Sequence, residues 1–261
     1  MFIGGSVNLA DAYLDESDRI LTRSNASNPS NDIDFLAGRI WLTNGSDRRL
    51  YTNSGTITKK LNTAFAVGHN QGMLDTGTVG NNSYHLYAIG NSSGTIDFLA
   101  SLSLTAPTMP TGFSYRKRVA SITRVSGANR QYTQIGRYFQ FPEDIVTLNG
   151  YAVSTSGELI VMPVPAGIRV RLFANFYAGF GDSNALTIKV LDGDLSIASL
   201  ANSGSNAFRG TSFVASGYIS MTECSFVTNT SGQLYFRRSG NYYNSSYQTV
   251  LQVHGYEDIN L

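Results

Sequence analysis

Ile168-Arg169-Val170-Arg171-Leu172-Phe173-Ala174-Asn175-Phe176-Tyr177 decides the fold class, because its apolar side chains recur at every second position. Successive side chains of a strand point to opposite faces. Ile168, Val170, Leu172, Ala174 and Phe176 therefore share one face, while Arg169, Arg171, Asn175 and Tyr177 share the other. Ile96 to Ser103 reads the same way, with Ile96, Phe98, Ala100 and Leu102 opposed by Asp97, Ser101 and Ser103. Each buried apolar side chain contributes roughly 1.5–3 kcal/mol before conformational entropy opposes it, so a second sheet must cover each apolar face.

Working outward, turn signals recur at Asn53-Ser54-Gly55, Ser92-Ser93-Gly94, Ser126-Gly127, Ser156-Gly157, Asp192-Gly193 and Ser231-Gly232. Glycine reaches positive φ without a Cβ clash, and these are read as hairpin tips between antiparallel strands. Thr58 to Val67 is the best candidate for a short turn of helix, since Leu61, Ala64 and Phe65 keep helical spacing, and it reads nearly as well as a strand. Phe141-Pro142-Glu143-Asp144 marks a domain boundary, because proline cannot donate to a strand ladder. The expectation is an all-β protein of two antiparallel β-sandwich domains, residues 1–142 and 143–261. In the second, candidate strands at 145–153, 158–164, 168–178, 185–191, 195–200, 212–219, 221–228, 233–238 and 248–256 favour a jelly roll. No repeat of 20 to 50 residues points to a solenoid, and no heptads point to a coiled coil.

Charged residues make up 14 % of the 261 residues, well below the roughly 25 % of ordinary soluble domains. Solubility falls to Asn, Ser, Thr and Gly, a surface suited to packing many copies together. A homo-oligomer is expected. The net charge of +1 gives no long-range field to gather nucleic acid or an acidic membrane. The exception is Arg116-Lys117-Arg118, where a strand would turn Arg116 and Arg118 to one face and Lys117 to the other. No run approaches the ~18 apolar residues of a membrane span, and Met1-Phe2-Ile3-Gly4-Gly5 lacks the basic start and long apolar region of a signal peptide. Residues 1 to about 31 are polar, with Asp11, Asp15, Glu16 and Asp18. They read either as an arm ordering on a neighbour or as an irregular edge of the first domain. Cys224 is the one cysteine and reads as a small buried hydrophobe.

One series of short motifs carries a family resemblance. Leu61-Asn62-Thr63-Ala64-Phe65-Ala66-Val67-Gly68 leads into Asn70-Gln71-Gly72-Met73-Leu74-Asp75-Thr76-Gly77. Ala106-Pro107-Thr108-Met109-Pro110 and Arg116-Lys117-Arg118-Val119-Ala120-Ser121-Ile122 follow, with Ser24 to Asp34 upstream. Over about residues 20–142 this resembles a module of tail-region virion proteins of tailed phages and prophages. The resemblance implies an N-terminal module that recurs beside differing C-terminal domains and anchors them on the particle. It also implies a virion location, assembly in the host bacterial cytoplasm, other virion proteins as partners and, by likeness to phage fibre proteins, a trimer.

Enzymatic signals are thin. Gly181-Asp182-Ser183-Asn184 resembles the nucleophile block of serine esterases with a flavodoxin-like fold, but that family places an Asp three residues before its catalytic His, where Leu251 precedes His254 here. A serine without an oriented base is not activated. His69, His85 and His254 are scattered, and Asp192 with Asp194 flanks a Gly193 that a turn already explains, so no metal is assigned. Glu143, Asp144, Glu158 and Glu223 are the distant carboxylates from which a glycosidase pair would have to be assembled.

For a host-surface glycan the candidate contacts are Phe208, Arg209, Tyr242, Tyr243, Asn244 and Tyr247, since tyrosine offers a flat apolar body with a polar tip. The expectation is a non-enzymatic tail-fibre or tail-tip component that adheres multivalently, with no cofactor, nucleic acid or membrane insertion. A head or collar decoration protein and a surface-polysaccharide hydrolase are the alternatives.

Overall fold

Strands account for all the regular structure of this protein: nineteen of them, and no helix, among the described residues. The computed structural model describes residues 19–148, 156–179, 186–194, 210–215, 220–239 and 248–261. The chain divides into two compact units after Gly136.

The first unit contains β1 (Thr22–Ser24), β2 (Asp32–Phe35), β3 (Gly38–Thr43), β4 (Arg48–Asn53), β5 (Ile57–Ala64), β6 (Gln71–Leu74), β7 (Ser83–Asn91), β8 (Ile96–Ser101), β9 (Phe113–Val125), β10 (Ala128–Asn129) and β11 (Thr133–Ile135). Their order is β11-β1-β2-β5-β6-β8-β7-β9-β3-β4, with β10 beside the end of β9. Thr58 to Ala64 thus lies in a strand, not a helical turn. Ser92-Ser93-Gly94 closes the β7–β8 hairpin, and Ser126-Gly127, with φ of 52° and 79°, closes β9–β10 as a two-residue turn. Ser54-Gly55, by contrast, joins strands that do not pair with each other.

The first unit departs from a purely antiparallel sandwich in its middle, where β6 runs parallel to both β5 and β8. Parallel neighbours ordinarily need a crossover of about a dozen residues or more. Here residues 65–70 make the return, pinned by Phe65 N–H to Leu74 O (2.9 Å), Ala66 N–H to Gly72 O (3.1 Å) and Asn70 N–H to Thr58 O (2.8 Å). The Lys59 side chain, 0 % exposed, fills the inside of this return. Its Nζ lies 2.9 Å from Asp97 Oδ1 on β8, donates to Ala66 O (2.6 Å) and Gly68 O (3.2 Å), and sits 4.9 Å from the Phe65 ring centre. Asp97 in turn accepts Gly68 N–H at 2.7 Å. Burial pushes the Lys59 pKa below its ordinary value, with Asp97 pulling the other way. The alternation expected of β8 gives way for this reason: Asp97 and Ser101 are buried with Phe98 and Ala100, while Leu102 lies exposed past the strand end.

The second unit is built from β12 (Tyr138–Leu148), β13 (Glu158–Val161), β14 (Val170–Gly179), β15 (Leu186–Leu191), β16 (Gly210–Ala215), β17 (Ser220–Val227), β18 (Gln233–Ser239) and β19 (Gln248–Asp258). They form two four-stranded antiparallel sheets, β17-β14-β19-β12 and β13-β18-β15-β16. The pairs β12–β19, β13–β18, β14–β17 and β15–β16 are nested like the rungs of one long hairpin. Rolling that ribbon so that β14 also pairs β19, and β15 also pairs β18, gives the jelly roll. Its core draws Val170, Leu172, Ala174, Phe176, Leu251 and Val253 from one sheet and Val190, Leu234 and Phe236 from the other, all 0 % exposed. Ser231-Gly232 lies in the connection from β17 to β18, which belong to different sheets, so it is a sheet-to-sheet corner and not a hairpin tip. The strand expected at 195–200 lies outside the described residues.

Proline at 142 does not end a strand. β12 runs through it, and its register with β19 slips between Gln140, opposite Gly255, and Ile145, opposite Val253. Pro142 falls inside that slip, where the ladder asks no donor of it. The division between units therefore precedes the strand.

Candidate functional site

The outward face of β17-β14-β19-β12 gathers aromatic, amide, carboxylate and imidazole groups. Inward parity on β14 belongs to Val170, Leu172, Ala174 and Phe176, which leaves Arg171, Phe173, Asn175 and Tyr177 on the other side. Strand register then sets their neighbours. Gln140, Gly255, Phe173 and Ser225 form one rung across the four strands, and Val146, Gln252, Asn175 and Glu223 form another. Arg171 stands beside Glu257, with Nη1 to Oε2 at 2.8 Å.

Gly255 shapes the centre of this face. A Cβ there would meet Phe139 O at 2.3 Å and the Tyr138 hydroxyl at 2.8 Å. With no side chain at 255, the Tyr138 ring lies across β19 and meets the Phe173 ring edge-on, centroids 5.3 Å apart and planes at 89°. Burial raises the Tyr138 pKa first, and the nearby charges of Asp144 and Glu223 raise it further, so the phenol stays a neutral donor. The same register slip that holds Pro142 presents Asp144. Asp144 Oδ1 lies 2.6 Å from His254 Nδ1, and His254 is itself the extra residue in the β14–β19 register. The side chains are 43 % and 25 % exposed, so solvent reaches both.

The motif residues fare differently. Phe208, Arg209, Tyr242, Tyr243, Asn244 and Tyr247 lie outside the described residues, as does Gly181-Asp182-Ser183-Asn184. Asp192 Oδ1 accepts Val227 N–H at 2.8 Å and Asp194 Oδ2 lies 2.8 Å from Arg169 Nε, so each carboxylate has a protein partner. His254 has the acidic neighbour that its local sequence lacks, supplied by Asp144 from 110 residues away. His69 Nδ1 accepts Thr58 N–H at 3.1 Å, and buried His85 Nδ1 lies 2.8 Å from Ser121 Oγ; both support the backbone frame of the first unit. Cys224 is half-buried, with Sγ donating to Ala174 O at 3.2 Å, and burial pushes its thiol pKa up to about 12.

In the first unit, Arg116 Nη2 donates to Thr105 O (3.2 Å) and Arg118 Nη1 to Ser121 Oγ (2.8 Å). The register of β9 with β7 skips Val119, so the strict alternation expected of the Arg116-Lys117-Arg118 run is broken just beyond it. At the β3–β4 hairpin, Asp47 Oδ2 accepts from Tyr115 Oη (2.7 Å) and Arg49 Nε (2.9 Å), which holds the Asp47 carboxyl below its usual range. This cluster closes on itself and on Ser92 O, which Arg49 Nη1 reaches at 3.1 Å, and leaves little to offer a ligand.

The outward face went unread in the sequence because its residues sit in strands whose alternation already accounted for them. Two signals were there. Phe173 and Tyr177 are aromatic on the polar parity of β14, and Gly255 interrupts a strand, a mark of close approach.

No protein-family model and no curated protein matches this chain. Among solved structures, a Bacillus thuringiensis Cry1Da tryptic core variant is similar over 97 % of this chain and 56 % of its own, at 10 % identity and a TM-score of 0.22. This chain thus spans little more than half of that one, and a likeness at that score carries no argument.

Proposed function

We propose that the chain is a non-enzymatic structural protein of a tailed-phage particle, a tail-fibre or tail-tip component that contacts the host surface. Its first unit holds it on the virion and its second unit makes the contact. The observation that carries the reading is a coincidence of limits. The stretch resembling tail proteins runs over about residues 20–142, and the first compact unit ends at Gly136. Apart from residues 137–142, which lie at the start of the second unit, the resemblance falls within one folding unit, as a shared anchor beside an exchangeable tip would have it. The second unit adds a jelly roll, an architecture used by viral capsid and lectin domains, which supports the reading by analogy only.

Binding is favoured over cleavage because the outward face brings rings and amides together, while of its carboxylates Asp144 is engaged by His254 and Glu257 by Arg171. Several weak contacts on one particle gain avidity of ~10²–10⁴ without new chemistry. A homo-oligomer, with a trimer favoured, supplies those copies.

Purified particles should contain the chain, its native mass should be that of a trimer, and added purified protein should compete with particles for adsorption to host cells. Absence from particles defeats the proposal. Presence without competition moves the chain to a head or collar decoration, and a stable monomer defeats the trimer.

A further inference from the structure

We infer that the outward face of β17-β14-β19-β12 is a binding site for a neutral or N-acetylated glycan, centred on Phe173, Asn175, Tyr138 and Gln252. The inference rests on the host-contact reading and moves the contact from the late loops to a sheet face.

The ligand class follows from what the face offers. Sugars present flat C–H faces bordered by hydroxyls, and they need rings to stack on and planar amides or carboxylates to bridge neighbouring hydroxyls. Tyr138 and Phe173 supply two rings already locked edge-to-face across Gly255. Asn175 and Gln252 are directly paired across β14 and β19 and bring two amides side by side, with Glu223 next to Asn175 on the far strand. Tyr177 continues the row along β14, so ring, amide and ring recur at every second residue, ~6.7 Å apart, the layout of a short oligosaccharide track.

Charge narrows the class. Among the described residues, Asp144, Glu223 and Glu257 lie on this face; Arg171 is paired with Glu257, Arg169 at the start of β14 is paired with Asp194, and His254 is held by Asp144. Carboxylates this close to the track repel uronates, sialic acids and phosphates, and suit uncharged hydroxyls and acetamido groups. The groups stand on paired strands and not on loops, so little ordering entropy is lost on binding. A protein partner would want a continuous apolar centre, and among the described residues Val146 is the one exposed large apolar side chain on this face.

The test is an array of neutral, N-acetylated and acidic glycans probed with the full-length protein, followed by calorimetry on the strongest ligand. Wild type should bind neutral or N-acetylated glycans in preference to acidic ones. Phe173→Ala and Asn175→Ala should each weaken binding by about tenfold or more, as truncated central contacts do. Glu223→Gln, an exposed position, guards against misfolding in the first two, and it should relax the rejection of acidic glycans. Binding to acidic glycans only, to no glycan, or with equal affinity in all three variants overturns the inference. Competition for host adsorption by a protein that binds no glycan would sink this inference and leave the host-contact reading standing. Glycan binding without competition would do the reverse.

Discussion

Removing the Asp97 carboxylate should destabilise the first unit more than any single change to its surface. In Asp97→Ala, Lys59 keeps Ala66 O at 2.6 Å and Gly68 O at 3.2 Å but loses its anionic partner at 2.9 Å, inside a site where both side chains are at most 1 % exposed. Gly68 N–H and Phe98 N–H lose their acceptor as well. Stripping one partner from a buried ion pair costs about 3–5 kcal/mol, most of it from the charge left behind. A unit of this size loses roughly 4 °C of melting temperature per kcal/mol, so its transition should fall by about 12–20 °C. Replacing both partners, Lys59→Met with Asp97→Leu, removes the stranded charge and should sit closer to wild type than Asp97→Ala does. Calorimetry of the full chain resolves the shift. A fall of less than about 4 °C for Asp97→Ala, or a double variant less stable than the single one, would refute the view that this pair holds the 65–70 return.

Gly255→Ala places a methyl 2.3 Å from Phe139 O, so β12 must shift. Its urea midpoint should drop by the equivalent of about 1–3 kcal/mol, with loss of the near-ultraviolet signal of the Tyr138–Phe173 pair, and a wild-type midpoint would contradict the packing described. Burial raises Cys224 from 9.0 to about 12 and raises Tyr132 well above its ordinary value. Both groups are held protonated by the fold, so the stability they contribute is full below pH ~9 and drains away as pH climbs toward 12. Melting temperatures should therefore fall steadily over that window, and a flat profile would count against it. The Cys224 thiol should also stay inert to a disulfide reagent at pH 8 until denaturant is added; rapid labelling of native protein would show it to be accessible.

Residue pattern alone carried the all-β class, since period two on β14 leaves one apolar face that only a second layer can cover. It also carried the Ser126-Gly127 turn, where two consecutive positive φ values suit Gly and small polar residues. Strand lengths and turn spacing after residue 143 were enough to suggest a jelly roll, although not to order its strands. The nested pairing β12–β19, β13–β18, β14–β17 and β15–β16 joins residues as far apart as Tyr138 and Glu257, and no local signal records which of several similar apolar strands will meet. Buried polar residues were the other loss. Asp97 looks like the outward member of an alternating strand, and only the arrival of Lys59 from β5 makes its burial favourable. Pro142 looks like a boundary until β19 is laid beside it and the register slip appears. The candidate site belongs wholly to this second kind of information: Tyr138, Phe173, Asn175, Glu223 and His254 come from four strands, and they become one surface because backbone hydrogen bonding fixes each strand's register and the buried core fixes which of its faces turns outward.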